Sequence, residues 1–253
     1  MCSTISCSAS ANTNSDQALT NQSVSTVTNT FEPIAVDLDG YESTNETCLC
    51  SLAHPIPEQP KSYRGSGDNV ALAINMFEDK NYQSALTIFD DQLDKNASTK
   101  WDYFNRGTTH LKSFAYKKAQ RDFESAIDKD PGFPEAYLNL GIAHYYQNDL
   151  DRAVSQISKS IQLSPEYSLA LWNRGHVLGM KTKFATAISD FDKAIKLAPD
   201  NAINYVGRAI VLGDSGDQTS ARKDLKTALE LTDDQDLISR LQATLDEMPA
   251  ALD

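Results

Sequence analysis

The chain has 253 residues, of which 40% are hydrophobic, so it is long enough to bury a core. Its formal net charge of −12 argues against a nucleic acid or an anionic membrane surface as the main partner, because both are polyanions that usually bind a basic stripe. No apolar run reaches the length of about eighteen residues that a membrane-spanning helix needs.

Residues 1–65 differ in composition from the rest of the chain. The first Lys or Arg is Lys61, and the sixty residues before it carry seven acids and many Ser, Thr and Asn. One apolar stretch interrupts them, "FEPIAVDL" from Phe31 to Leu38. Low hydrophobicity with charge of one sign cannot offset the entropy of ordering, so we expect an acidic, disordered tail over residues 1–65.

The N-terminal sequence "MCSTISCSASAN" lacks the charged and apolar regions of a signal peptide. Ala9-Ser10-Ala11 nevertheless fits the pattern of a signal-peptidase site, and the residues up to Cys7 loosely resemble a bacterial lipobox. If either marks a truncated signal, the protein is periplasmic, secreted or lipid-anchored; otherwise a cytoplasmic location is expected. The sequence leaves the compartment open.

All four cysteines lie in this tail, at Cys2, Cys7, Cys48 and Cys50. The Cys-Leu-Cys spacing is too close for a usual zinc pair, and only His54 is nearby, so we predict no metal site and no cofactor. Export would permit disulfides or lipid attachment, whereas in the cytosol these would be ordinary thiols.

From residue 66 onward the sequence repeats with a period of thirty-four residues. Proline recurs at Pro131, Pro165 and Pro199. A small residue recurs at Ala73, Gly107, Gly141, Gly175 and Ala209. Alanine recurs at Ala85, Ala119, Ala153, Ala187 and Ala221, each followed four places later by an aromatic or aliphatic residue. Such a period is typical of tandem structural units that stack on one another.

Each unit is predicted to be two amphipathic helices, for example about Tyr137 to Tyr146 and Leu150 to Leu163, joined by "QND". The small residue lets the two helices approach closely, and the proline ends the second helix. The predicted units are residues 66–99, 100–133, 134–167, 168–201 and 202–233.

A thirty-four-residue helix-turn-helix unit with these residues resembles the tetratricopeptide repeat, and "YLNLGIAHYYQNDLDRAVSQISKSIQLSP" is close to that family's consensus. The resemblance implies an all-α fold, a right-handed α-solenoid of five tandem repeats over residues 66–233. The end units depart from the consensus: Asn69 replaces an aromatic residue and Asp233 a proline. Departures are expected there, because one face of a terminal repeat meets solvent.

Residues 234–253 are predicted to include a capping helix. The apolar residues Leu237, Ile238, Leu241, Leu245 and Met248 share one face of that helix, and most polar residues lie opposite. Such a helix would cover the apolar edge of the last repeat.

The first helix of each unit carries more apolar side chains than one buried stripe can hold. In proteins that this chain resembles, the second, fifth, ninth, twelfth and thirteenth places of the unit line the concave side of the superhelix. Those places hold Trp101, Phe104, Leu111, Leu138, Ile142, Tyr145, Tyr146, Leu169, Trp172, His176, Met180, Ile203, Val206 and Ile210. The resemblance therefore implies a groove that binds an apolar or amphipathic segment of a protein or peptide partner.

An equally supported interpretation of Leu138, Ile142 and Val206 is packing between adjacent first helices. Arg106, Arg174 and Arg208 share one place in three units, where pairing with nearby acids is favoured over contact with a ligand. His110 and His144 occupy an interior place and are predicted to be core residues.

No nucleophile-base set, phosphate loop or metal motif is present in the sequence, so we predict a non-catalytic scaffold or adaptor and not an enzyme. One alternative is a structural protein that forms homo-oligomers through this apolar surface. Another is an exported or lipid-anchored assembly factor. A further hypothesis is that Phe31 to Leu38 occupies the groove of its own chain.

Overall fold

The structure, a computed structural model, describes residues 68–94 and 98–248, which form eleven α-helices and no strand. The helices are α1 Asp68–Glu78, α2 Tyr82–Asp94, α3 Lys100–Lys112, α4 Tyr116–Lys129, α5 Pro134–Tyr146, α6 Leu150–Leu163, α7 Ser168–Met180, α8 Phe184–Leu197, α9 Ala202–Ser215, α10 Gln218–Leu231 and α11 Gln235–Glu247. The predictions for residues 1–65, including the four cysteines and the stretch Phe31–Leu38, lie outside the described residues.

Consecutive helices pair as helical hairpins, and each hairpin packs on the next. The two helices of a unit contact each other, and each second helix contacts the first helix of the following unit. Successive first helices also pack directly on one another, in the pairs α3 with α5, α5 with α7 and α7 with α9. The predicted all-α solenoid of tandem helix-turn-helix units is confirmed, with α11 packed on α10 at its end.

The turn inside each hairpin places one residue in the left-handed conformation. These residues recur every thirty-four positions: Lys80, Phe114, Asn148 and Thr182, with φ between 55° and 62°, and Gly216, with φ 96°. A backbone bond closes each turn, such as Ala115 N–H to the His110 carbonyl at 2.8 Å. This pattern is a Schellman motif, which offsets part of the conformational cost for residues other than glycine.

The core lies between the two helices of each unit. The periodic residues of the second helices, Phe89, Phe123, Ile157, Phe191 and Leu225, are buried, as are the periodic alanines. Their side chains meet the small residue of the partner helix, which explains why no larger side chain occurs at that place of the repeat.

We expect Gly141→Ala to destabilise the protein by about 1–3 kcal/mol through overpacking. The added Cβ would lie 2.4 Å from Ile157 Cγ1, and also 3.1 Å from the backbone oxygen of Ala153. The isoleucine could rotate, but the backbone contact requires α5 and α6 to separate. Gly132→Ala is the control for urea denaturation, because its Cβ would approach only the side-chain oxygen of Asp130. Equal stability of the two variants would contradict the prediction.

Candidate functional site

The fourteen residues predicted to line a groove differ in exposure. Seven are buried and pack between helices: Phe104, Leu111, Leu138, Ile142, Trp172, Val206 and Ile210. Six are partly buried: Trp101, Tyr145, Tyr146, Leu169, His176 and Ile203. Met180 is 49% exposed. Packing between helices is therefore favoured for the buried seven, and the accessible surface belongs to the other seven, which we call the inner surface.

All seven residues of the inner surface lie on the first helices, α3, α5, α7 and α9. These helices contact one another directly along the solenoid, in addition to their contacts with the second helices. They are therefore the more closely spaced layer. In a curved stack the more closely spaced layer is the inner side, so this is the layer for which the sequence analysis predicts a concave surface.

Five rings form a continuous array across units two to four. Tyr116 and Tyr146 stack with ring centroids 4.9 Å apart and planes at 10°. Tyr146 meets Tyr145 edge-on at 5.1 Å, and Tyr145 meets His176 at 5.6 Å. His176 stacks on Trp172 at 5.6 Å with planes at 9°. We call these residues the aromatic array; it joins α4, α5 and α7 by ring contacts.

The hydroxyl groups of the array are neutral at physiological pH. Burial raises the pKa of Tyr145 to about 12 and the pKa of Tyr146 further, and it also raises the pKa of Tyr116. The Tyr145 hydroxyl lies 3.5 Å from Nε2 of His176, a contact whose direction depends on the tautomer of the imidazole. The array therefore offers apolar area and uncharged hydrogen-bonding groups.

Trp101 belongs to a second ring cluster, at the start of α3. Its ring lies 4.7 Å from that of Phe133, which in turn lies 4.9 Å from that of Phe104. The Lys100 ammonium group lies 4.6 Å from the centroid of the Phe133 ring and is bonded to Asp130. Phe104 is thus covered by Phe133 of the turn after α4, and Trp101 remains the accessible member of this cluster.

The three periodic arginines join helices of the scaffold. Arg174 donates from Nε and Nη2 to the buried Asp190 at 2.7 and 2.8 Å, and from Nη1 to Ser158 at 3.1 Å. Arg106 and Arg208 make the same bidentate contact with an aspartate sixteen residues later. These contacts fix a first helix to two second helices, so they account for the arginines without a ligand.

His110 and His144 are buried, as expected of core residues. Burial lowers the pKa of both imidazoles, which favours their neutral form. Among the residues that the structure describes, no group of three His, Cys, Asp or Glu is placed to hold a metal ion. In the same residues, no helix has the length and apolarity that crossing a membrane requires.

Comparison with known proteins identifies the repeat. Residues 110–170 and residues 169–201 match two protein-family sequence models, each described as tetratricopeptide repeat. The crystal structure of TTC0263, a thermophilic TPR protein in Thermus thermophilus, superposes with a TM-score of 0.61 at 20% identity, over 70% of this chain and 97% of that chain. Over residues 110–201, the chain is therefore a tetratricopeptide-repeat protein.

Other solved structures resemble this tetratricopeptide-repeat protein to a similar degree. The crystal structure of MamA matches with a TM-score of 0.57 at 20% identity, over 63% of this chain and 94% of that chain. YrrB, described as a TPR protein with an unusual peptide-binding site, matches with a TM-score of 0.55 at 19% identity, over 70% of this chain and 90% of that chain. Such low identity shows a shared fold alone. No curated protein sequence matches the chain significantly.

Sequence reasoning did not include Tyr116 among the candidate residues. It begins α4, a second helix, whereas the places considered for a groove are all on first helices. Its ring reaches Tyr146 across thirty residues of sequence. The signal available in the sequence was an aromatic residue at both of two places, Phe114 and Tyr116, whereas the equivalent two places of every other unit hold at most one.

Proposed function

We propose that this protein is a non-catalytic scaffold that binds an apolar or amphipathic segment of a partner on its inner surface. The tetratricopeptide-repeat fold supports a role in protein–protein interaction in general. The observation that supports this specific site is the aromatic array, which extends over three units and is continuous with partly exposed residues of the first helices.

The accessible side chains have the chemistry of a peptide-binding surface. Tyr145 and Tyr146 combine apolar rings with neutral hydroxyls, and their ring contacts limit the freedom that binding would remove. Met180 is unbranched and adaptable, and it is the most exposed member of the inner surface. Leu169 and Ile203 add aliphatic area on the neighbouring helices. A partner helix with an apolar face, or an extended apolar segment, fits these side chains.

The experiment is affinity capture from native cell extract with mass spectrometry, comparing wild type with a Leu169→Glu/Met180→Glu variant. The matched control is Leu197→Glu, since Leu197 is exposed and lies at the end of α8, a second helix. We expect partners to be retained by the control and lost by the double variant, because a charge in the centre of an apolar interface is costly. Circular dichroism and thermal unfolding establish that both variants fold.

A partner list that both variants share would reject the inner surface as the binding site. Light scattering over a range of concentrations separates the alternative of self-assembly, in which the mass rises with concentration and the double variant stays monomeric. Removal of residues 1–65 tests occupancy by the stretch Phe31–Leu38, which would make partner capture stronger in the shortened chain.

A further inference from the structure

The turn between α3 and α4 carries an exposed aromatic side chain within a basic stretch of the chain. Phe114 is 58% exposed, the largest exposed fraction among the large hydrophobic residues that the structure describes. Residues 111–121 contain four Lys or Arg and no Asp or Glu. Among them Lys117 and Lys118 are exposed and lie in the first turn of α4. This stretch is an exception in a chain with a net charge of −12.

The backbone does not explain phenylalanine at this place, and more than half of its side chain is left exposed. Phe114 has φ 62°, in the left-handed region that glycine occupies without strain, and the last unit has Gly216 at the equivalent place. The other equivalent residues, Lys80, Asn148 and Thr182, are polar. Phenylalanine is therefore less favourable than glycine both in conformation and in hydration.

The Phe114 ring extends the aromatic array outward to the surface. It meets the ring of Tyr116 edge-on, with centroids 6.4 Å apart and planes at 86°. Tyr116 in turn stacks on Tyr146. An exposed ring that rests on a fixed ring, beside two lysines, is suited to a segment with both apolar side chains and carboxylates.

We propose that this turn is the docking site of the chain's own residues 33–39, "PIAVDLD". Ile34, Val36 and Leu38 alternate with Asp37 and Asp39. In an extended segment this alternation places the three apolar side chains on one face, where they can cover Phe114. The two carboxylates then face away from the ring, and the exposed Lys117 and Lys118 of the adjacent helical turn have side chains long enough to reach them around the edge of the segment.

Charge complementarity favours this occupant. The sixty N-terminal residues carry seven acids and no Lys or Arg, and residues 111–121 have the opposite sign throughout. Residues 33–39 combine apolar side chains with two acids, whereas the other apolar run of that region, Cys48 to Ala53, contains no acid. The same residues thus supply both the apolar and the ionic half of the contact.

The connecting chain is long enough for this contact. Residues 40–67, a stretch of twenty-eight, separate the segment from the start of α1. A flexible chain of that length has an r.m.s. span of about 30 Å. The α3–α4 turn lies one unit further along the stack than α1 and at the opposite end of the helices from Asp68; packed helices are about 8–10 Å apart, and an eleven-residue helix is about 16 Å long. A connector whose span matches the distance gives a high effective concentration, so weak contacts suffice. The contact uses a turn outside the inner surface and does not depend on the proposed function.

The test is zero-length carbodiimide cross-linking of the full chain, which joins a lysine to a carboxylate in direct contact, followed by mass spectrometry. An equimolar mixture of ¹⁴N- and ¹⁵N-labelled protein separates contacts within a chain from contacts between copies. We expect cross-links from Lys117 or Lys118 to Asp37 or Asp39 within single chains.

Two variants test the apolar and the ionic half separately. Phe114→Gly should raise the thermal midpoint, by relief of the left-handed strain, and yet reduce the cross-links at least about tenfold, the loss expected for one aromatic anchor. The variant Lys117→Glu/Lys118→Glu should abolish the cross-links. When Asp37→Lys/Asp39→Lys is combined with it, the charges are exchanged and the cross-links should return.

A matched control and three results make the proposal falsifiable. Lys223→Glu/Lys226→Glu, two exposed lysines of α10, should leave the cross-links unchanged. Unchanged cross-links in Phe114→Gly would overturn the role of the ring. Cross-links found only between a ¹⁴N-labelled and a ¹⁵N-labelled chain would assign the contact to a second copy and overturn docking within the chain. Cross-links from Lys117 and Lys118 only to other acids would overturn the choice of segment.

Discussion

Arg174→Met is expected to destabilise the protein by about 3–5 kcal/mol, the range measured when one partner of a buried ion pair is removed. Asp190 is 1% exposed and accepts two bonds from Arg174, at 2.7 and 2.8 Å. Methionine keeps an apolar stem of similar length, so packing changes little. What changes is that a buried carboxylate loses its cation.

The effect should extend beyond one helix pair. Arg174 lies on α7, Asp190 on α8, and Ser158, which accepts from Nη1 at 3.1 Å, on α6. The guanidinium group therefore couples unit four to unit three. Since neighbouring contacts hold a repeat array together, we expect the urea transition of Arg174→Met to become broader as well as earlier.

The double variant Arg174→Met/Asp190→Leu should recover most of the lost stability, because an apolar pair leaves no buried charge. The control is Arg152→Met: the Arg152 side chain is 69% exposed and lies 3.4 Å from Asp149. An exposed pair contributes at most about 1 kcal/mol. If urea denaturation shows that Arg174→Met lowers the free energy of unfolding no more than this control does, the carboxylate of Asp190 has another partner in solution.

The helices were predictable because their signals are local and repeated. The predicted bounds Leu150 to Leu163 agree with α6, and "QND" is the turn before it. The first helix begins earlier than predicted, at Pro134 instead of Tyr137, because proline at the first helical position has no amide hydrogen to leave unpaired. The arginine–aspartate pairs were also visible as a recurrent sixteen-residue spacing, although the sequence analysis named only the arginines.

The depth of each candidate site residue was not predictable. The places in the repeat indicate which face of the first helix a residue occupies, but not what covers it. Phe104 is covered by Phe133, and the indole of Trp172 reaches the Ile203 carbonyl, thirty-one residues away. Such contacts depend on residues about thirty positions away, at the end of the same unit for Phe104 and in the next unit for Trp172, which the place of a single residue does not specify.

Trp172→Ala should also destabilise the protein by about 3–5 kcal/mol, as expected for truncation of a buried aromatic side chain. Trp172 is 5% exposed, and its ring stacks on His176 and meets Phe191 edge-on at 6.1 Å. Its indole N–H donates to the Ile203 carbonyl at 3.1 Å and so joins α7 to α9. Trp101→Ala is the control. Trp101, the other tryptophan of the chain, is only partly buried, so its truncation should lower the free energy of unfolding by less.

Trp172→Phe separates the ring from its hydrogen bond. It keeps an aromatic ring against His176 and Phe191 but removes the donor, so we expect a loss of about 1 kcal/mol. Urea denaturation followed by far-UV circular dichroism measures all three variants. A stable Trp172→Ala protein that no longer captures its partners would contradict this account and place the indole at the ligand. A destabilised one means that its binding defects report the unfolding of units four and five, so partner binding must be tested at Leu169 and Met180.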